Sequence, residues 1–321
     1  MPDRRVELEV YRLNVVDDEE LLPIMGKQIL SDQDILKIID FATNSDFDHL
    51  SERDQASSDY KWGLREFVQF DNFGVSPAPL AGVAYSRAIM RQAGTIMTDF
   101  GLEPGVSTPD QPLATTTYLI FYMERHLVAV ERKGKIMDTQ VWRSSLHTIL
   151  DAAATALGFK SSLRLEPVAQ NSEILSTFQK FSLLTRLRVH LRLPNPDLSR
   201  YMKTLHEMMT EGQVRDLLQD MKNKNGLSQQ KGNLPHAAVT MADAGYKKGE
   251  VVMEGVIDGK PQTVVTGQNA VRVSVEASKN LEWLREFTRG AAATAPAKST
   301  KEALETVIAE INKQIDAEKA G

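Results

Sequence analysis

Residues 186–193 read Arg-Leu-Arg-Val-His-Leu-Arg-Leu, and this strict alternation is the feature that most restricts the fold. Successive side chains of a β-strand point to opposite faces. One face is therefore apolar, and the other carries Arg186, Arg188, His190 and Arg192. The segment predicts a strand that packs its apolar face on a core. Its basic face places charged side chains roughly 7 Å apart, close to the phosphate spacing along one DNA strand.

The basic row has two possible explanations. It could be a surface for a polyanion, because guanidinium groups bind phosphate well. It could instead be paired with carboxylates on a neighbouring strand or in the acidic N-terminal region. Like charges two residues apart on one face repel each other, so the row needs an anionic partner in either case. Both explanations stay open at the level of the sequence.

Apolar periodicity along the whole chain predicts a mixed α+β protein with a mainly antiparallel sheet and packed helices. A smaller helix-and-hairpin second part and a C-terminal helix follow. We expect three parts: an N-terminal α+β domain at 1–195, a second helix-hairpin domain at 196–288, and a linker with a C-terminal helix at 289–321.

Four segments carry less regular patterns. Residues 82–101 are expected to form a helix, and the glycines and prolines of 101–112 predict a loop. Apolar spacing predicts a helix over 214–221. Residues 237–241 are expected to form a strand.

The charge of the chain is unevenly distributed. The 321 residues contain 38 Lys and Arg against 43 Asp and Glu, a formal charge of −5. Residues 1–60 alone carry a net −9, so the other 261 residues are net positive. This basic remainder makes a nucleic-acid partner compatible with the acidic total. The acidic segment around residues 17–20 could cover a basic surface until DNA displaces it.

The absence of cysteine excludes disulfides, thiolate nucleophiles and cysteine-ligated metals. It fits a cytoplasmic protein, and the sequence contains neither a signal peptide nor an apolar run of about 18 residues. P-loop, dinucleotide-binding, serine-hydrolase and zinc-protease motifs are all missing. The one enzyme alternative is a metal-dependent nuclease that uses Asp110, Glu131 and Lys133. We otherwise expect no catalytic residues, cofactor or metal.

The candidate phosphate-binding residues follow from the basic row and the cations near it. They are Arg186, Arg188 and Arg192 on the strand, Arg200 and Lys203 after it, and Arg132, Lys133 and Lys135 after an earlier hairpin.

Three short motifs accompany this order of elements: Leu163-Arg164-Leu165-Glu166-Pro167, Leu191-Arg192-Leu193-Pro194 and Asp243-Ala244-Gly245. Their succession over residues 115–265 resembles the RexA-type phage-exclusion proteins of temperate phages and bacterial defence loci. The resemblance implies a cytosolic, dimeric protein that binds DNA without sequence specificity. It also implies a sensor of infection that signals to a separate membrane effector. A protein-only adaptor without nucleic-acid binding is the remaining alternative.

A homodimer is also suggested by two apolar patterns. Leu304, Ile308, Ile311 and Ile315 form a stripe on the C-terminal helix, and helices at 198–221 are rich in methionine. Either pattern could pair with a second subunit, although the C-terminal helix could equally pack on its own domain.

From the sequence, replacing Arg186, Arg188 and Arg192 together by Ala is expected to abolish DNA binding without unfolding the protein. A gel shift and circular dichroism of the triple variant measure the two parts of this expectation. Unchanged affinity in a natively folded variant would contradict it.

Overall fold

The computed structural model is a mixed α+β fold with mainly antiparallel sheets, which confirms the predicted fold class. It describes residues 5–17, 30–51, 58–70, 78–98, 101–110, 112–133, 136, 141–169, 173–192, 203–212, 214, 216–276, 304–313 and 315. No helix within these ranges is long and apolar enough to cross a membrane.

Within these ranges the larger sheet contains nine strands. They are β1 (Arg5–Asp17), β2 (His49–Ser51), β3 (Ser58–Phe70), β4 (Leu80–Thr98), β5 (Gly101–Ser107), β6 (Ala114–Tyr122), β7 (Leu127–Glu131), β8 (Ser161–Pro167) and β13 (Val271–Glu276). The order is β13-β1-β7-β6-β4-β3-β2, with β5 beside β4 and β8 beside β1. Strand β1 pairs with β13 through its first half and with β8 through its second half. One long strand thus holds two distant segments together.

The smaller sheet has the order β10-β9-β11-β12. Its strands are β9 (Leu183–Arg192), β10 (Asp216–Lys222), β11 (Val251–Ile257) and β12 (Lys260–Thr266). Asp258 and Gly259 connect β11 to β12 with positive φ angles of 50° and 75°. Positive φ at both central residues is what a tight two-residue hairpin turn requires, and Asp-Gly is a favoured pair for it.

Helices cover both sheets. They are α1 (Asp32–Phe41), α2 (Val141–Ala156), α3 (Glu173–Lys180), α4 (Lys203–Glu211), α5 (Leu234–Asp243) and α6 (304–313). Helix α1 begins with a capping box between Ser31 and Asp34, and packs with α2 on one face of the larger sheet. Helix α6 packs on the opposite face of that sheet. Helices α3, α4 and α5 pack with the apolar side chains of the smaller sheet.

The apolar stripe of the C-terminal helix is buried within its own chain. Leu304, Ile308, Ile311 and Ile315 pack with the core of the larger sheet. Arg125 also donates a hydrogen bond to Asn312 Oδ1 at 2.8 Å. The stripe therefore packs on its own chain, and this contact does not require a second subunit.

The structure corrects four secondary-structure predictions. Residues 82–98 lie in β4 instead of a helix, because this strand pairs with β3, β6 and β5, and its residues 80–85 are buried on both faces. A strand covered on both faces loses the alternation that identifies strands. Residues 101–107 form β5, which pairs with the end of β4, instead of a loop.

The other two corrections concern the smaller sheet. Residues 216–222 form β10, in which Leu217 and Met221 are directed inward with Gln219 between them. The apolar spacing predicted a helix only because it counted Leu218 as a core residue. Leu218 is 57% exposed, on the outer face of the strand. Residues 237–241 lie in α5, where Pro235 occupies the first turn and six side chains are buried. Tertiary burial outweighs the weak local preference here.

The predicted domain boundaries at residues 195 and 288 stay a prediction. Each of the two sheets contains strands from both sides of residue 195. Strand β9, before residue 195, belongs to the smaller sheet, and β13, after it, belongs to the larger one.

We expect Ile308→Ala to lower the free energy of unfolding by about 2–5 kcal/mol, because it leaves a cavity between α6 and the larger sheet. Denaturant unfolding measures this change. Lys313→Ala on the exposed side of α6 is the control and should change stability by no more than about 0.5 kcal/mol. Equal stability of wild type and Ile308→Ala would contradict the packing of α6.

Candidate functional site

The apolar face of β9 packs on a core, as its alternating sequence predicts. Leu187, Val189 and Leu191 are fully buried against the helices of the smaller sheet. The basic residues lie on the opposite, outer face, where carboxylates of β10 and β11 flank them. The side chains on the neighbouring strands therefore determine whether each cation is paired or available to an external anion.

Arg186 is bound by two carboxylates. Its Nε and Nη2 donate to Asp220 at 2.8 and 3.0 Å, and its Nη1 donates to Glu254 at 2.6 Å. Hydrogen bonds from Arg186 hold the pKa of Asp220 well below its usual range. The side chain is thus satisfied by internal charge pairing, one of the two explanations that the sequence left open. The carboxylates come from neighbouring strands of the same sheet.

Arg188 and His190 differ from Arg186. Nε2 of His190 lies 3.3 Å from Asp216 Oδ1, and burial lowers the pKa of this histidine. Arg188 is exposed, and within the described residues its side chain makes no hydrogen bond or ion pair. Arg188 is therefore the guanidinium of this row that is available to an external anion.

Arg192 is not a surface residue. It is 6% exposed, with Nη1 3.9 Å from Glu166 Oε1 and Nε 3.4 Å from Asp216 Oδ1. Neither nitrogen makes a hydrogen bond with a described residue. Burial lowers the pKa of its guanidinium. Replacing Arg192 by Ala would remove a buried cation beside the largely buried carboxylate of Glu166, so we now expect this change to destabilise the fold.

The second predicted cluster lies on the larger sheet. Arg132 contacts Glu7 at 3.1 Å and Glu9 at 3.3 Å, so the acidic N-terminal part does neutralise a basic side chain there. Lys133 lies 3.2 Å from Glu131 and donates to the carbonyl of Thr116 at 2.5 Å. Lys135 and Arg200 lie outside the described residues, as do the side chain of Lys203 and residues 18–20.

The residues of the nuclease alternative are not arranged as a metal site. Glu131 is buried at the end of β7 and paired with Lys133, whereas Asp110 is exposed after β5. The described part of the chain contains no group of three or more His, Asp or Glu side chains that could hold a metal ion.

A different set of charged residues meets where the two sheets join. We call Arg143, Glu166, Arg192 and Lys247 the junction cluster. Lys247 is 1% exposed, donates to the carbonyl of Gly249 at 2.9 Å and lies 3.8 Å from Glu166 Oε2. Glu166 belongs to β8 of the larger sheet, and Arg192 ends β9 of the smaller one. The carboxylate of Glu166 therefore joins the two sheets electrostatically.

Burial dominates the electrostatics of the junction cluster. It raises the pKa of Glu166, against the lowering effect of Lys247, Arg192 and Arg143. It lowers the pKa of Lys247 to about 8. It also lowers the pKa of neighbouring His147 to about 3, with Arg164 and Arg143 adding to the effect. His147 is thus neutral, and its Nε2 accepts a hydrogen bond from the Leu165 amide at 3.0 Å.

The Asp-Ala-Gly motif lies beside this cluster. Arg12 of β1 is buried, donates to the Ala244 carbonyl at 3.1 Å and lies 4.5 Å from the Tyr246 ring centre. Gly245 has a φ of 87°, and a Cβ at that position would lie 2.7 Å from Cβ of Arg12. Only glycine fits such a close approach in this conformation.

Residues 98–292, more than half of the chain, match the family described as a domain of unknown function (DUF4747). The chain belongs to the DUF4747 family. No curated protein matches it.

The DUF4747 region contains the smaller sheet and all four residues of the junction cluster. Strand β1, with Arg12, and helix α6 lie outside it. All three motifs singled out in the sequence fall within the DUF4747 match, and each contributes a residue at or beside the junction.

Sequence reasoning missed Lys247 and Arg12. Arg12 has a usable signal, since it interrupts an apolar strand pattern and a charge in such a position is either paired or exposed. Lys247 follows Tyr246 in an ordinary polar turn sequence, which gives no signal that its side chain is buried.

Lys247 predicts a specific pH dependence. Glu166, Arg143, Glu173 and Glu250 face it, and the folded state releases its proton near pH 8, whereas the unfolded chain holds it to about 10.5. The unfolded state therefore binds more protons in this window, and the contribution of Lys247 to the free energy of unfolding rises with pH. The full rise amounts to about 3 kcal/mol.

Denaturant unfolding of wild type and Lys247→Met between pH 7 and 11 (roughly the window of lysine titration) measures this difference. The stability of wild type relative to the variant should increase above about pH 8. Lys248→Met, at the exposed neighbour, is the matched control. A difference that is constant across the range would contradict the prediction.

Proposed function

We propose that this chain is a non-enzymatic DNA-binding protein that contacts phosphates through the outer face of its smaller sheet. We define the outer basic patch as Arg186, Arg188, Lys222 and Lys224, which lie on or directly after β9 and β10. In the cell it would act in phage exclusion or antiphage defence as an infection sensor that signals to a separate effector. Binding would be independent of base sequence.

The observation that carries the proposal is the state of Arg188. It is exposed in the middle of a strand, and the described residues provide it with no ion pair or hydrogen bond. An exposed guanidinium keeps its donors available for a bidentate contact with phosphate.

The charge of the surrounding surface supports the same ligand. The four cations of the outer basic patch surround two carboxylates, Asp220 and Glu254, which leaves a net charge of +2. Lys222 is 60% exposed and only 3.1 Å from Asp220, whereas Lys224 is exposed in the turn after β10. Phosphate contacts of this kind supply sequence-independent affinity.

The internally paired cations have a smaller part in the proposal. Arg186 is already satisfied by Asp220 and Glu254. A phosphate would have to displace these carboxylates, so Arg186 contributes less than Arg188. Arg132 and Lys133 are paired on the larger sheet and are not part of the outer basic patch.

The biological role rests on the resemblance to RexA-type proteins through the motifs that end at Pro167, Pro194 and Gly245. That resemblance also supports a homodimer and a separate membrane effector as proposals. A sedimentation mass equal to one chain at micromolar concentration would contradict the dimer.

Replacing Arg188 and Lys224 together by Ala should weaken DNA binding and flatten its salt dependence. Each lost phosphate contact lowers the slope of log affinity against log salt by about 0.9 on duplex DNA, so the double variant should lose about 1.8. Fluorescence anisotropy with labelled duplex, single-stranded DNA and RNA across a salt series measures both quantities.

Arg272→Ala and Lys313→Ala together form the matched control, because they remove one exposed arginine and one exposed lysine outside the patch. The control should retain the wild-type slope. Equal slopes for the control and the patch variant would exclude the patch as the contact surface. Absence of wild-type binding at low salt would favour the protein-only adaptor instead.

A further inference from the structure

The junction cluster has more cationic hydrogen-bond donors than acceptors. Nε and Nη1 of buried Arg192 make no hydrogen bond with a described residue. The ammonium of Lys247 has one hydrogen-bond partner, the carbonyl of Gly249, for its three donors. Arg143 lies 5.8 Å from the Tyr11 ring centre and makes no hydrogen bond or ion pair with a described residue.

The charges of the cluster are also unbalanced. Three cations act on Glu166, whereas the other carboxylates lie at the edge of the cluster. Asp216 beside Arg192 is 43% exposed, Glu250 near Lys247 is exposed, and Glu173 near Lys247 already accepts a hydrogen bond from Thr266. Asp151 does not supply the missing negative charge, because both of its carboxylate oxygens accept hydrogen bonds from nearby Arg164 at 2.6 and 2.8 Å. A buried charge is costly unless it is paired and hydrogen-bonded. The group that the cluster lacks is therefore an anion with several acceptor atoms.

We propose that the junction cluster binds a phosphate group, held by Arg143, Arg192 and Lys247 between the two sheets. A guanidinium offers two parallel donors to phosphate oxygens, and an ammonium acts as a compact point charge beside them. The phosphate could be inorganic or the terminal group of a small ester, since both present the same oxygens. This site does not depend on DNA binding at the outer basic patch.

The effect of Glu166 on phosphate affinity distinguishes a binding site from a purely structural cluster. Its carboxylate lies 3.9 Å from Arg192 and 3.8 Å from Lys247, so it competes with phosphate for the same donors and repels its charge. Glu166→Gln removes both effects while it keeps the size of the side chain. Phosphate binding should therefore become tighter in this variant, even though the protein without phosphate becomes less stable.

The experiment is thermal unfolding of the full chain with increasing inorganic phosphate, against sodium chloride at equal ionic strength. The wild-type Tm should rise with phosphate in the way expected for a ligand that binds only the folded state. Glu166→Gln should reach the same rise at about one tenth of the phosphate concentration, and Arg192→Met should lose it. Asp59→Asn, which removes a carboxylate from Arg91 on the larger sheet and outside both proposed sites, is the matched control and should respond like wild type.

Further arms separate the ligands and guard against misfolding. Acetate in place of phosphate tests a simple carboxylate, and glycerol phosphate tests an ester; a larger rise with the ester assigns the site to phosphate esters. If Arg192→Met does not fold, Arg143→Met on helix α2 takes its place. A rise in the arginine variant equal to that of wild type, or a weaker response in Glu166→Gln, would overturn the proposal.

Discussion

A largely buried carboxylate on one sheet facing buried cations of the other is the interaction on which the arrangement of this protein depends. Glu166 comes from β8, and its partners Arg192 and Lys247 belong to the segments that form and flank the smaller sheet. Burying these charges costs several kcal/mol for each ion, so the groups are tolerated only in mutual proximity. This requirement fixes the end of β9 against β8. The close packing of Gly245 on Arg12 adds a steric constraint at the same place.

The pairing of β1 explains why this junction can form. The first half of β1 holds β13 and the second half holds β8, so two segments more than one hundred residues apart become neighbours. Ala169, just after β8, forms an isolated bridge with Ala270, just before β13. The last helix of the smaller part also contributes, because Asp243 accepts hydrogen bonds from the amides of Ile174 and Leu175 at the start of α3. Backbone pairing, capping and the junction cluster thus converge on one region.

The basic strand illustrates how much of a candidate site a sequence can predict. Alternation correctly identified the strand, its apolar face and the residues opposite it. It could not distinguish Arg186, bound by two carboxylates, from exposed Arg188 or buried Arg192. These three side chains have the same local pattern, and their environments come from β10, β11 and β8. A function that requires an accessible cation therefore concerns Arg188 far more than its neighbours in the row.

Local chemistry in the sequence determined the elements whose signals lie within a few residues. The capping box at Ser31 and the Asp-Gly turn at 258–259 are examples, and the apolar stripe of α6 is another. Tertiary structure decided the identity of β4, where burial of residues 80–85 on both faces removes alternation, and of β10, where helical spacing coincided with a strand. It also decided which charges are paired, because each partner lies on a strand or helix distant in sequence. Charge pairing depends on distances of a few ångströms, and only the folded chain determines those distances.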